Sequence, residues 1–287
     1  MVILDGKKLA EKKQIELRDN RIYGDFNFKS LEFKPRDEKL NVNLTVILVG
    51  DDPASKTYVR NKEKACERVG IETTTIHIPD GTPEEQIIQR IKELNEDPSV
   101  QNILLQLPLP KQYDEHKIIN TISPEKDVDA LTDVNRCKLF LSDKHLQNTR
   151  IPCTPFGILM LLFEYNITVE RKKVLVIGRS KLVGEPLVQI MNKMNATTMW
   201  ANSYTPYETL KEMCLEVDII ISCAGRRNLI TQDMVTPMTI LIDVGINVDE
   251  NGKLCGDAER NIECFAKTPV PGGVGPMTIT ALLWNCV

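Results

Sequence analysis

The stretch Arg171-Lys-Lys-Val-Leu-Val-Ile-Gly-Arg-Ser-Lys-Leu-Val-Gly-Glu-Pro186 decides the fold. Val174 to Ile177 form an unbroken aliphatic run, the pattern of a parallel strand covered on both faces, and Gly178 ends it. From Pro186 through Leu187, Ile190, Met191 and Met194 the apolar spacing widens to three or four residues, a helical period. A strand that runs through a glycine turn into a helix aims backbone N–H groups and the positive helix end at whatever lies above it, most often a phosphate. The stretch therefore reads as one wall of a nucleotide site.

The same punctuation recurs on either side. Toward the N-terminus, Lys8 to Ile22 reads as an amphipathic helix and Tyr23 to Asn41 as a polar loop. Leu44 to Gly50 is a second strand-to-glycine transition, Asp51 to Ser55 is turn and cap chemistry, and Lys56 to Val69 is a helix closed by Gly70. Ile71 to Ile78 is a strand, Glu84 to Asn95 a helix, and Asn102 to Leu107 a buried strand stopped by Pro108 and Pro110. Beyond the opening stretch, Ala196 to Ala201, Ile219 to Cys223 and Ile240 to Val244 are short strands at intervals suited to helical crossovers. This alternation implies an α/β protein with mainly parallel sheets, the second half reading as a Rossmann-type doubly wound parallel sheet. The polar turn from Asp143 to Thr149, followed by Pro152 and Pro155, marks the joint. The expected domains are 1–148 and 149–275.

A chain of 287 residues suits two domains at about 150 residues each. Charged residues at 26% and hydrophobic ones at 42% place it among ordinary globular proteins, and a net charge of −4 gives no hint of a nucleic-acid partner. No apolar run approaches the ~20 residues of a membrane span, and the opening Met-Val-Ile-Leu-Asp-Gly-Lys-Lys lacks the apolar core of a signal peptide, so a cytoplasmic location is expected. Eight cysteines without a Cys-x-x-Cys pair, and three histidines without neighbouring ligands, read as free thiols in a reducing compartment and no metal site.

Gly178-Arg-Ser-Lys-Leu-Val-Gly184 departs from the dinucleotide fingerprint Gly-x-Gly-x-x-Gly, with Ser180 at the second glycine and one extra residue before the last. Alone the match is weak, since two glycines also shape a turn in a generic sheet. At the end of the next strand, where NAD sites place a carboxylate, the chain has Asn202-Ser-Tyr-Thr205. With no acid there to repel a phosphate, Arg179 offers a guanidinium and Ser203 a hydroxyl, so the expected cofactor is NADP. Ala224-Gly225 and Asp243-Val-Gly-Ile-Asn247 follow the next two strands, and glycines there let a flat cofactor lie close to the backbone.

In the first half, Ser55-x-x-Tyr58-x-x-x-Lys62 puts a ring and an amine on one helical face, a spacing an exposed surface also shows. Gln106 is an amide in the apolar run Ile103 to Pro110 and needs a partner, either local backbone or a ligand. Asp127-Val-Asp129 is a solvated acidic turn or, beside a lysine, a pair of carboxylates for the amino-pyrimidine edge of a heterocycle.

Together these segments resemble the bifunctional methylenetetrahydrofolate dehydrogenase/methenyltetrahydrofolate cyclohydrolase family over nearly the whole chain, and the resemblance implies two α/β domains with the active-site cleft between them and a C-terminal segment from about 276 to 287 packing back onto the first. The matching segments fall in family order: Ile3-Leu-Asp-Gly-Lys, Tyr58-Val-Arg-Asn-Lys62, Gln106-Leu-Pro-Leu-Pro110, Pro124 to Asp129, Pro152-Cys-Thr-Pro155, Gly178-Arg-Ser180, Asp243 to Asn247 and Thr268 to Thr278. The resemblance implies NADP-dependent oxidation of 5,10-methylenetetrahydrofolate to the methenyl form, then hydrolysis to 10-formyltetrahydrofolate, in one-carbon metabolism. It implies that Lys62 is the central catalytic residue of the hydrolysis, that Gln106 orients it, that Tyr58 stacks on the folate rings, and that Asp129 accepts hydrogen bonds from the pterin. Leu105, Leu107, Pro271, Gly272, Gly273, Gly275 and Thr278 complete the implied substrate site, and Gly178, Arg179, Ser180, Gly184, Ser203, Gly245 and Ile246 the cofactor site. The implied partners are tetrahydrofolate derivatives, free or polyglutamylated, and a second copy in a homodimer, with no nucleic acid or membrane. A single-activity or NAD-dependent dehydrogenase of the same family, or a non-catalytic dinucleotide-binding regulator, stays open. The chain departs from the family's pattern at Ala130, where a glycine usually follows the pterin aspartate, at Asn202 in place of a histidine, at Ala258 in place of a valine, and in a last helix that stops at Val287.

Overall fold

The computed structural model describes residues 1–19, 26–27, 32–33, 42–142, 146 and 149–287. They divide into two compact units, one of Lys13–Leu141, Gln147–Cys153 and Ile279–Val287, the other of Met1–Lys12, Ser142–Leu146 and Thr154–Thr278. The chain opens with β1 (Val2–Ile3) and α1 (Gly6–Arg18). The helix expected over Lys8–Ile22 thus starts two residues earlier and ends at Arg18, and residues 20–22 lie outside the described ones. Of the loop expected over 23–41, the described part is a short antiparallel pair, β2 (Phe26–Asn27) with β3 (Glu32–Phe33).

The first unit is built on β4 (Asn43–Val49), α2 (Pro53–Val69), β5 (Glu72–Ile78), α3 (Glu84–Glu96) and β6 (Ile103–Leu105), followed by α4 (Glu115–Ile119) and α5 (Asp133–Leu141). Its strands are parallel in the order β5-β4-β6. The centre strand is buried from Leu44 to Val49, which is why it reads as a continuous apolar run. Ile87, Ile91 and Leu94 face it from α3 at helical spacing and pack with Ile47, Ile103 and Ile118. The α2 helix begins where Asp52 accepts from the Ser55 N–H at 2.7 Å with Pro53 in the first turn, and ends at Gly70 in the left-handed region, φ 82°.

The second unit comprises α6 (Cys153–Glu164), β7 (Lys173–Ile177), α7 (Gly184–Lys193), β8 (Thr197–Ala201), α8 (Tyr207–Leu215), β9 (Ile219–Ser222), β10 (Ile240–Asp243), the hairpin β11 (Asn247–Val248) and β12 (Leu254–Cys255), β13 (Ala266–Lys267) and α9 (Val274–Asn285). Its six-stranded sheet runs β1-β13-β10-β9-β7-β8, parallel throughout. The chain steps outward from β7 to β8 and then crosses back to β9 on the other flank, so the strand order reverses between β7 and β9. Ligands of doubly wound sheets sit at that reversal, beyond the carboxyl ends of the strands. Of the joint read over 143–149 with Pro152 and Pro155, residues 143–145 and 147–148 lie outside the described ones, and Pro155 stands in α6, a helix buried along most of its length. Because α6 is apolar all round it carries no amphipathic signature, and Pro155 sits in its first turn, where no intrahelical N–H is lost. The last residues of α9 group with the three-stranded unit, where Gln14 Nε2 donates to Thr280 Oγ1 at 3.0 Å and Asn102 Nδ2 to the Cys286 carbonyl at 3.1 Å.

Candidate functional site

Two constellations stand at the carboxyl ends of the two parallel sheets. In the three-stranded unit, Gln106 follows β6 with its backbone N–H on the Ile47 carbonyl at 2.9 Å. Its side chain is buried and doubly committed: Nε2 donates to the Leu107 carbonyl at 2.6 Å, and Oε1 accepts from Lys62 Nζ at 3.0 Å. The first bond fixes which end of the amide faces the lysine, answering how a buried amide is satisfied there. Lys62 and Tyr58 stand one helical turn apart on α2, with Lys62 half-buried and the Tyr58 ring 39% exposed and open to stack on a planar ligand.

The segment after Pro124 runs beside β6, with the Ile103 N–H on the Lys126 carbonyl at 2.7 Å, and this carries Asp129 to the same sheet end. The two carboxylates of Asp127-Val-Asp129 do not act as a pair. Asp127 is buried and accepts from the Thr132 N–H and Asn135 Nδ2, each at 2.9 Å, so it builds the turn. Asp129 stays half-buried in the field of Lys62. Burial raises its carboxyl above the ordinary value, while the Lys62 ammonium and a hydrogen bond from Cys153 pull the other way. Burial, and then Asp129 beside it, push the Cys153 thiol far up, which leaves it no nucleophile. Ala130, directly after Asp129, takes a left-handed φ of 56°.

In the six-stranded unit the Gly178 turn has the form read from the sequence. A Cβ on Gly178 would lie 2.6 Å from the Cys223 carbonyl oxygen, and one on Gly184 would run into the Gly178 carbonyl, so neither position accepts a side chain. Ser180 Oγ accepts from the Val183 N–H at 3.2 Å, closing the turn before α7. The Trp200 indole N–H donates to the Gly178 carbonyl at 2.7 Å, tying the turn to β8. Arg179 and Ser203 are both exposed, with no carboxylate in Asn202 to Thr205.

Two buried aspartates organise the neighbouring strand ends. Asp257, fully buried, accepts from Ser222 Oγ at 2.8 Å, from the N–H groups of Ala224 at 2.8 Å and Arg226 at 2.8 Å, and from Asn247 Nδ2 at 3.0 Å. The N–H groups after β9 are thereby turned inward and satisfied by the protein itself. Asp243 accepts from the N–H groups of Gly245, Asp257 and Ala258, each at 2.9 Å, and burial pushes its carboxyl up to about 6. Gly245 is held in that way, and Ile246 beside it is 56% exposed, an apolar surface at the sheet end. Nothing in the periodicity marked Asp257; only its place in an otherwise short, glycine-led turn was a signal.

The segment Thr268 to Thr278 leaves β13 and enters α9. It is seated on the N-terminal motif: the Lys7 N–H donates to the Gly272 carbonyl at 2.8 Å, and a Cβ on Gly6 would collide with the Gly273 carbonyl. Thr278 Oγ1 shares a hydrogen bond with Thr154 Oγ1 at 3.1 Å. Pro271, Gly272, Gly273, Gly275 and Thr278 therefore stand in the six-stranded unit, whereas Tyr58, Lys62, Leu105, Gln106, Leu107 and Asp129 stand in the other.

Two family models match the chain, the tetrahydrofolate dehydrogenase/cyclohydrolase catalytic domain over residues 4–129 and the NAD(P)-binding domain of the same enzymes over residues 152–287. The sequence is 43% identical over 289 residues to the bifunctional protein FolD of Bacillus cytotoxicus, covering 100% of this chain and 95% of that protein. Among solved structures it is similar to the FolD methylenetetrahydrofolate dehydrogenase/cyclohydrolase of Campylobacter jejuni, with TM-score 0.90, 39% identity and 100% and 97% of the two chains covered. It is also similar to the Trypanosoma brucei N5,N10-methylenetetrahydrofolate dehydrogenase-cyclohydrolase complexed with NADP and an inhibitor, with TM-score 0.86, 30% identity and 99% and 95% covered.

Proposed function

The chain belongs to the tetrahydrofolate dehydrogenase/cyclohydrolase family, and from that premise we infer how its own residues serve the family's two reactions. It oxidises 5,10-methylenetetrahydrofolate to the methenyl form with NADP and hydrolyses that product to 10-formyltetrahydrofolate. The residues present fit the cofactor: the cradle at Gly178 and Gly184 has no room for side chains, and Arg179 and Ser203 face solvent with no acid between Asn202 and Thr205. When bound, NADP supplies the hydride acceptor.

We assign cofactor binding to Gly178, Arg179, Ser180, Gly184, Ser203, Gly245 and Ile246, and folate binding to Tyr58, Leu105, Gln106, Leu107, Asp129, Pro271, Gly272, Gly273, Gly275 and Thr278. For oxidation the substrate's own nitrogen lone pair supplies the electron push, so the protein's part is to position the folate and exclude water. Tyr58 offers a ring face to the pterin, and the Asp129 carboxylate accepts from its amino-pyrimidine edge.

Hydrolysis asks for more. The methenyl carbon lies between two nitrogens and is already electrophilic, so water adds to it, the bond from that carbon to one nitrogen breaks as the nitrogen takes up a proton, and the second water proton leaves to solvent as the formyl group forms. Lys62 Nζ can carry a proton at this sheet end, and Gln106 Oε1 fixes its direction. The Lys62–Gln106 hydrogen bond is the observation that carries this assignment. Mixing the protein with methylenetetrahydrofolate and NADP while following NADPH and methenyl absorbance tests it. Methenyl that rises and then decays is the expected record, whereas NADPH formation with undecayed methenyl would remove the hydrolytic role. Equal rates with NAD and NADP would remove the cofactor preference.

We further propose a homodimer paired along β8, which forms an outer edge of the six-stranded sheet with Trp200 44% exposed. Light scattering that returns a monomer mass at micromolar concentration would reject it. The eight cysteines are free thiols, which suits the cytoplasm, and among the described residues no helix is long and apolar enough to cross a membrane.

A further inference from the structure

We propose that Tyr204 is a specificity-determining residue for the 2′-phosphate of NADP, acting by holding the Arg179 guanidinium in place; this rests on the reading of Arg179 as a phosphate contact. The Arg179 guanidinium carbon lies 5.2 Å from the centroid of the Tyr204 ring, over its face. Stacking occupies the flat face of the guanidinium and leaves its N–H edge in plane, where it can fork onto a phosphate. A long exposed side chain otherwise loses rotamer freedom when it grips an anion, and a partner that holds it beforehand removes part of that cost.

Both ends of the pair stand on fixed backbone. On one side, Trp200 Nε1 holds the Gly178 carbonyl next to Arg179, and Ser180 closes the turn. On the other, Asn202 Oδ1 accepts from the Tyr204 N–H at 2.9 Å, the Asn202 N–H donates to Thr205 Oγ1 at 3.0 Å, and the Thr205 N–H returns to the Asn202 carbonyl at 2.9 Å. Asn202 thus builds the platform that presents the tyrosine. Two loops that follow neighbouring strands are clasped at the edge where a 2′-phosphate has no acid to oppose it.

Tyr204 is 82% exposed, so its ring can be removed without touching the core. Equilibrium binding by calorimetry to the wild-type chain, Tyr204→Ala, Tyr204→Phe and Arg179→Ala, with NADP, NAD, 2′,5′-ADP and 5′-ADP, separates the ideas. Expected is a loss of roughly two- to fivefold for NADP and 2′,5′-ADP in Tyr204→Ala, the range of an exposed cation–π contact, with NAD and 5′-ADP unchanged and Tyr204→Phe like wild type. Tyr204→Ala weakening all four ligands alike, or none, overturns the inference while a selective loss in Arg179→Ala keeps the underlying reading. Loss in Tyr204→Phe assigns the effect to the hydroxyl and overturns the stacking role. No selective loss in Arg179→Ala overturns both.

Discussion

Lys62 Nζ donates to Gln106 Oε1 at 3.0 Å, and the same amide donates to the Leu107 carbonyl at 2.6 Å, so the lysine is aimed by a side chain that cannot turn round without losing its own bond. A group that must meet one water and one ring nitrogen gains from such aiming. Lys62→Met is expected to lower methenyl hydrolysis by about 10²–10⁴-fold, the usual worth of a positioned proton carrier, with oxidation less affected. Persistent methenyl absorbance after NADPH formation is the record to look for, and an unshifted melting temperature would show that folding is intact.

Gly178→Ala and Gly184→Ala place a methyl group against backbone that cannot retreat without opening the β7–α7 turn. Overpacking of that kind costs about 1–3 kcal/mol. Both variants are expected to melt earlier and to lose the rise in melting temperature that saturating NADP gives the wild type. A melting curve recorded with and without NADP measures both effects, and an undiminished NADP shift would show that the turn is not the cofactor's seat.

Most of the strand and helix order was legible because both sheets are parallel and buried, which turns strands such as Leu44–Val49 and Val174–Ile177 into plain apolar runs bounded by glycine. Gln106 stood out as an amide in an apolar run, whereas Lys62 and Asp129, at positions that a solvated surface also shows, were singled out by the family resemblance. The rest was hidden for definable reasons. The α6 helix has no polar face to give it a period, and β1 and β13 are two-residue strands whose pairing depends on partners far away in sequence. Asp257 looked like one acid among many, because its five donors come from segments that only the fold assembles. Separating Asp127 from Asp129 likewise needed the turn in which one carboxylate points inward.

Asp243 carries a pH signature. Its folded value is about 6 against 3.8 for an ordinary aspartate, so between these values the folded state binds the extra proton. Stability from this group is therefore greatest below about pH 4 and is lost as pH rises through 6, opposite in sign to a salt-bridged carboxylate. An Asp243→Asn variant removes the titration, and any fixed cost of the amide cancels when the same pair of proteins is compared at two pH values. The stability gap between wild type and variant is expected to change by about 2 kcal/mol between pH 4 and pH 7, most of the roughly 3 kcal/mol that about 2.2 pH units at 1.36 kcal/mol each give over the whole titration. Urea unfolding at both pH values measures it, and a gap independent of pH would refute the shift.

Asn285, near the end of α9, donates from Nδ2 to the Val128 carbonyl at 2.8 Å and to the Ile151 carbonyl at 2.9 Å. Val128 directly precedes the proposed pterin acceptor Asp129, and the Cys153 thiol reaches the same carbonyl at 3.6 Å. Asn285→Leu keeps the bulk but leaves two carbonyls with a missing donor, a loss of about 1–3 kcal/mol at one-half to one and a half per bond. Because the bond sits one residue from the carboxylate, the variant is expected to raise the KM for methylenetetrahydrofolate several-fold while the KM for NADP, bound by the other unit, stays put. Steady-state kinetics with each substrate varied in turn tests this. A rise in both constants, or in neither, would mean that Asn285 supports the fold without holding Asp129 in register.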